Sequence, residues 1–237
     1  ILSDKTFTIN ANSDPAINLV YTGTGVYHDI KIDDNLIYGE SIDRRTRGIG
    51  LISWYNYNYS VELLQNLTIT NNVIYNIGYA GISTQAWNSG GCQHILTPAL
   101  YYNIKIHNNI IHDIGAAGII LGETNHSSVK WNKIYNIGQY ERGDMDGGTA
   151  GIMPIICSHV DIMYNEIYDV DDNGSSMDAA GIDVDWFSEF NTVKYNYIYR
   201  CAGGGVETMA VINTKIQNNK VKEKTGSTLI GEGMIVL

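Results

Sequence analysis

Apolar residues recur along this chain in a fixed frame with asparagine. The frame reads apolar, two positions, Asn, one position, Ile, Tyr, one position, apolar, and it closes on Gly-Ile. It is complete in Ile69–Ile82 around Asn72 and returns in Ile106–Ile119 around Asn109 with His112 in place of the Tyr. Further copies centre on Asn132, Asn165 and Asn196, with partial copies at Asn35 and Asn219. The interval from Asn to the repeat glycine is 9 residues at Asn72/Gly81, Asn109/Gly118 and Asn196/Gly205. The interval from glycine to the next Asn is 14 residues at Gly118/Asn132, Gly151/Asn165 and Gly205/Asn219, so the minimal unit is 23 residues. Insertions enter at two places only. Between Asn and Gly, 10 residues are added before Gly151 and 7 before Gly181; between Gly and Asn, 14 follow Gly81 and 10 follow Gly48.

A unit of this length is one supersecondary turn that buries its apolar face only against its neighbours. Stacking gives each column a role. Ile32, Ile69, Ile106, Val129, Ile162, Val193 and Ile216 form one aliphatic ladder. Ile74, Ile111, Ile134, Ile167 and Ile198 form a second, and Ile77, Ile114, Ile137, Val170 and Cys201 a third, which makes Cys201 a small core residue. The asparagines form a ladder of their own: Asn tolerates a left-handed turn, and its amide reaches the rungs above and below. Tyr75, His112, Tyr135, Tyr168 and Tyr199 read as an outer structural stack, whereas His126 and His159 have no evident partner. The fold class expected is all-β, a right-handed parallel β-helix solenoid with a rung of about 23 residues and loop insertions on one side. It forms a single β-helix domain over residues 1–237. The chain opens on Ile1-Leu2-Ser3-Asp4 and ends on Gly233-Met234-Ile235-Val236-Leu237, with no initiator Met and no cap-like end. Solenoid ends need caps, so the expectation is a fragment or subunit of a longer protein, with further segments or a second subunit covering the ends.

Composition narrows the function. With 15 Lys plus Arg against 25 Asp plus Glu, the net charge is −10, which disfavours phosphate-backbone binding and hence nucleic acid. No apolar run of membrane-spanning length occurs, so no membrane span is expected. The 3 cysteines lack metal-type spacing and imply no disulfide framework.

Acidic residues cluster where the frame places one sheet face. The residue after each repeat glycine is apolar (Ile82, Ile119, Ile152, Ile182, Val206) and points inward, so the second and fourth residues point outward. The second column reads Ser83, Ile120, Met153, Asp183 and Glu207; the fourth reads Gln85, Gly122, Ile155, Asp185 and Met209. Asp183, Asp185 and Glu207 thus project from adjacent rungs, about 4.8 Å apart between strands and about 6.7 Å along one. Carboxylates that close raise each other's pKa, and no Lys or Arg shares the two columns. The insertions before Gly151 and Gly181 lead into this face and carry Tyr140, Glu141, Arg142, Asp144 and Asp146, then Asp171, Asp172 and Asp178. Trp87 and Trp186 follow the same strand in their rungs. Aromatic walls beside carboxylates suit a sugar ring, with its apolar faces and hydroxyl edges. A single acid in a turn is commonplace; the cluster is what points to a site.

These features resemble the pectate-lyase-like superfamily of parallel β-helices, whose members include polysaccharide lyases, hydrolases, epimerases, adhesins and phage tailspikes. The segment Asp178-Ala-Ala-Gly-Ile-Asp183-Val-Asp185-Trp186 resembles the active-site stretch of the β-helical lacto-N-biosidase family of glycoside hydrolases, which uses two aspartates seven residues apart. The resemblance implies Asp178 as acid/base and Asp185 as nucleophile of a retaining hydrolase that needs no metal or other cofactor. Asp183 and Glu207 would position sugar hydroxyls or tune the pair, and Trp186, Trp87, Tyr140 and Arg142 would line the substrate. The expected protein is an extracellular or cell-surface glycoside hydrolase. Two alternatives stand beside it. In a polysaccharide lyase the acids would hold Ca²⁺ and Arg142 or Arg200 would supply the base; the other alternative is a non-catalytic glycan-binding or structural β-helix.

Overall fold

The computed structural model describes residues 2–3, 5–9, 16–21, 26–40, 46–53, 64–84, 101–139, 148–172 and 178–222. Every described element is a β-strand or a turn, and every strand pairing is parallel. One rung runs through four sheets in order, for example Thr68–Thr70, Val73–Ile77, Ala80–Ser83 and Tyr101–Tyr102, before Lys105–His107 starts the next. The first and second sheets have eight strands each, the third has seven and the fourth has four. Single bridges carry the fourth sheet on through Asn125, Ser158, Glu189 and Ile212. A parallel sheet of consecutive coils is what the repeat frame predicts.

The core lies inside the coil, and each column named above fills it. Ile32, Ile69, Ile106, Val129, Ile162 and Val193 are at most 1% exposed, and Ile216 is partly buried against them at the last described rung. Cys201 sits in the same core cluster below Val170, as a small apolar residue. The glycine of Gly-Ile is steric in origin. A β-carbon on Gly118 would lie 2.5 Å from the carbonyl oxygen of Gly151 and 2.6 Å from Ile134 Cγ2.

The asparagine ladder is continuous. Nδ2 of Asn35, Asn72, Asn109, Asn132, Asn165 and Asn196 each donates to Oδ1 of the next at 2.9–3.0 Å, ending on Asn219. The same Oδ1 also accepts the backbone N–H of the previous asparagine, as at Asn109 from Asn72. Such a buried chain of amides is mutually polarising and fixes the register of every rung. One expectation is corrected here. The left-handed residue is not the ladder asparagine but the one before it: Asp34, Asn71, Asn108, Trp131, Tyr164, Tyr195 and Asn218, with φ of 55–59°. That residue makes the corner, and the corner turns the asparagine inward to meet its neighbours.

Outer rings also stack at the rung spacing. Tyr38, Tyr75, His112, Tyr135, Tyr168 and Tyr199 stand 4.7–5.3 Å apart with near-parallel rings. The expectation that His126 and His159 lack partners is also corrected. They stack on each other at 4.6 Å, between Tyr102 and Phe190.

Candidate active site

The third sheet positions the acids. Ile182 and Val184 of strand Asp178–Val184 are fully buried in the main core. By strand alternation Asp183 and Asp185 face the other way. Asp183 is directly in register with Glu207 of strand Gly204–Thr208, which places their Cα atoms about 4.8 Å apart. In the rungs before them the same file carries Ser83, Ile120 and Met153, so charge enters it only at Asp183 and Glu207.

Asp183 faces away from the core and yet is only 2% exposed. Its Oδ1 has no hydrogen-bond partner among the described residues. Burial, followed by the charges of Asp185, Asp178 and Glu207, pushes its carboxyl up to about 9, so it is neutral at pH 7. Glu207, half-buried, is raised by burial and then by Asp178 and Asp185. The two acids therefore sense both Asp178 and Asp185, and the four carboxyls form one electrostatic group.

Asp178 reaches this group by an irregular route. A straight strand advances about 3.3 Å per residue, which would leave Asp178 and Asp185 about 23 Å apart. The strand is not straight at that end. Thr149 pairs with Asp178 but Ala150 pairs with Ala180, so Ala179 is an extra residue, a β-bulge. Asp178 and Ala179 are both left-handed, with φ of 58° and 60°. Burial raises the Asp178 carboxyl, and a hydrogen bond from the Gly148 backbone N–H acts in the opposite sense. Three residues before the repeat glycine, other rungs carry Gly78, Gly115 and Gly148, where this rung carries Asp178. Sequence reading assigned Asp178 to the preceding loop; it is instead the first residue of the strand, and the bulge offsets it by one from that glycine column, opposite Thr149.

Asp185 continues the strand through a bridge to Ile155, and its N–H donates to Pro154 O at 2.9 Å. Its Oδ1 accepts the Trp186 N–H at 2.7 Å, which orients the carboxylate. Trp186 is 43% exposed and Phe187 beside it 53%, so an aromatic surface adjoins the acids. Trp87, Tyr140, Glu141, Arg142, Asp144 and Asp146 lie outside the described residues. Arg200 is on the second sheet, where it makes two 2.6 Å bonds to Asp169 and stacks on Tyr199, away from the acids. Among the described residues no group of three or more His, Cys, Asp or Glu is placed to hold a metal ion.

One further acid was not singled out from the sequence. Glu123 follows Gly122 just beyond the C-terminal end of the third sheet's central strand, Ala117–Gly122, in a left-handed conformation with φ of 53°. Burial pushes it up to about 7, and its Oε2 has no partner among the described residues. A carboxylate directly after the fourth column's glycine was the available signal.

Comparison with known proteins supports this architecture. The family described as right handed beta helix region matches residues 88–235. The GH136 lacto-N-biosidase from Eubacterium ramulus is similar in structure, with a TM-score of 0.68 and 18% identity over 94% of this chain and 45% of that one. The A-module of the Azotobacter vinelandii mannuronan C-5 epimerase AlgE4 gives 0.58 and 16%, over 98% of this chain and 58% of that one. The enzymatically active domain of tailspike protein 2 from bacteriophage CBA120 gives 0.54 and 12%, over 100% and 38%. The chain thus spans less than half the length of the lacto-N-biosidase. Comparison with curated sequences gives no match.

Proposed function

The chain belongs to the right-handed β-helix family, and we propose that it is a glycoside hydrolase, acting outside the cell or at its surface, in which Asp178 and Asp185 are the catalytic carboxylates. The observation that carries the reading is a group of four mutually sensing carboxyls, of which Asp183, Asp185 and Glu207 share one sheet face and Asp183 is held neutral by burial. Glycoside hydrolysis by two carboxyls needs one group that carries a proton and one that is ionised. Asp178, raised by burial, is the acid that protonates the leaving oxygen. Asp185, held by the Trp186 N–H, is the nucleophile that attacks the anomeric carbon. Water, deprotonated by Asp178, then releases the sugar with retained configuration.

The burial of Asp183 decides between its two expected roles. At 2% exposure it does not meet a sugar directly; it acts through its neighbours. A neutral acid among three other carboxyls keeps the local charge from growing and so limits how far Asp178 and Glu207 are driven upward. Beside Asp178 and Asp185, half-buried Glu207 and exposed Trp186 would touch substrate, with Trp87, Tyr140 and Arg142 as further walls. The similar lacto-N-biosidase makes lacto-N-biosides the first substrates to try.

The test compares two substrates. One is an oligosaccharide ending in lacto-N-biose, whose leaving group needs protonation; the other is the p-nitrophenyl lacto-N-bioside, whose leaving group does not. Asp185→Asn abolishes cleavage of both. Asp178→Asn abolishes cleavage of the oligosaccharide but spares the first step on the aryl glycoside. Intact cleavage in both variants would overturn the assignment. Loss of activity on chelation with an ultraviolet-absorbing unsaturated product would instead mark a Ca²⁺-dependent lyase, and glycan retention without turnover a binding protein.

A further inference from the structure

The bulge that carries Asp178 is held by glycines, and one of them does more than make room. A β-carbon on Gly148 would overlap the carboxyl of Asp178, so the Asp178 side chain lies directly across the Gly148 Cα. The Gly148 N–H donates to that carboxyl. On the other side, a β-carbon on Gly203 would overlap the backbone carbonyl of Asp178, and the Gly203 N–H donates to Ala179 O at 3.0 Å. The extra residue Ala179 lies between these two contacts, unpaired on the Thr149–Ile155 side. Bulges of this kind re-aim one side chain and persist where the surroundings over-determine them.

Building on the assignment of Asp178 as acid/base, we infer that Gly148 is a positioning residue for catalysis: its bare Cα and its N–H seat the Asp178 carboxyl, and the Ala179 bulge holds it there. In the preceding rung Thr149, not an acid, stands opposite Asp178. Gly115 provides the matched control. A β-carbon there would also strike the neighbouring rung, at the Gly78 carbonyl, but two rungs from Asp178.

The experiment compares Gly148→Ala with Gly115→Ala, using the oligosaccharide and the p-nitrophenyl glycoside described above. A displacement of about 1 Å at a catalytic group costs about 100-fold. Gly148→Ala is expected to lower kcat about 100-fold on the oligosaccharide with KM within about twofold, and less than about tenfold on the aryl glycoside. The basic limb of its pH profile moves to higher pH, because the carboxyl loses the N–H that favours its ionised form. Gly115→Ala lowers the melting temperature but leaves kcat and the pH profile unchanged. Equal kinetics in the two variants would overturn the inference. If Gly148→Ala does not fold, deletion of Ala179 is read in the same way, and an unchanged kcat overturns the inference. Should Asp178→Asn itself cleave both substrates normally, the acid/base assignment falls first; a silent Gly148→Ala beside an impaired Asp178→Asn defeats only the present inference.

Discussion

Replacing Asp183 with Asn tests the carboxyl that burial raises furthest among the described residues. Its carboxyl titrates at about 9 when folded and at the ordinary 3.8 when unfolded. The folded state therefore holds the proton that the unfolded state releases. Stability contributed by this group is fully present below pH 3.8 and is lost steadily as pH rises toward 9. Each pH unit inside that window costs about 1.36 kcal/mol, so about 4 kcal/mol disappears between pH 5 and pH 8. That is a large share of a stability of about 5–15 kcal/mol. An amide has nearly the same shape and no titration. The difference in urea unfolding free energy between Asp183→Asn and the parent should move by about 4 kcal/mol in favour of the variant from pH 5 to pH 8. At pH 5 the variant already gains about 1.6 kcal/mol, because pH 5 lies about 1.2 units above the 3.8 of the unfolded carboxyl. Parallel stability curves for the two proteins across this range would show that Asp183 is ionised in the fold and would refute the argument. The same variant is expected to shift the pH profile of cleavage, since Asp183 borders Asp185 and Glu207 electrostatically.

Three other outcomes follow from the described contacts. Asn132→Ala removes the acceptor of the Asn109 amide and backbone N–H and the donor to Ile106 O, and should cost about 3–5 kcal/mol in unfolding free energy by urea titration. Glu123→Gln should stabilise the protein at pH 8 by about 3 kcal/mol without changing glycan cleavage, because burial holds this acid at about 7 against an ordinary 4.5. Its gain grows from pH 4.5 to pH 7 and is then constant. Proton NMR of the first product released from an aryl glycoside should show the anomeric configuration retained; inversion would remove Asp185 as nucleophile.

How much was legible in the sequence differs between the fold and the site. The rung was readable because each column is chemically uniform: seven asparagines in register and an isoleucine at nearly every core position leave one way to stack the chain. The register of Asp183 with Glu207 followed from the same counting. The depth of Asp183 did not. Alternation tells which face a side chain takes, but an outward position reads as solvent, and burial there depends on what packs over the sheet. The bulge at Ala179 was invisible for a related reason. An inserted residue changes an interval by one, and the seven-residue insertion before Gly181 already hides that change. The stack of His126 on His159 was missed because rings that are 33 residues apart in sequence become neighbours only once the rungs are stacked.

Stability and chemistry are divided around the circumference of the coil rather than along its length. In the two rungs that carry the acids, the other faces remain regular: Ile162, Ile167 and Val170, then Val193, Ile198 and Cys201, fill their columns, and Asn165 and Asn196 continue the ladder to Asn219. A solenoid is stabilised by each rung and by its interface with the next. A penalty of several kcal/mol on one face therefore falls on the same rungs whose remaining faces are fully paired. The acids exploit this arrangement. Here the hydrogen bond from Asn165 Nδ2 to Asn196 Oδ1 and the pairing of Ile182 with Val206 hold the same two rungs from the corner and from the core. The strand is thereby fixed at both sides of Asp183, and the cost of its desolvation appears as a raised pKa instead of a displaced backbone.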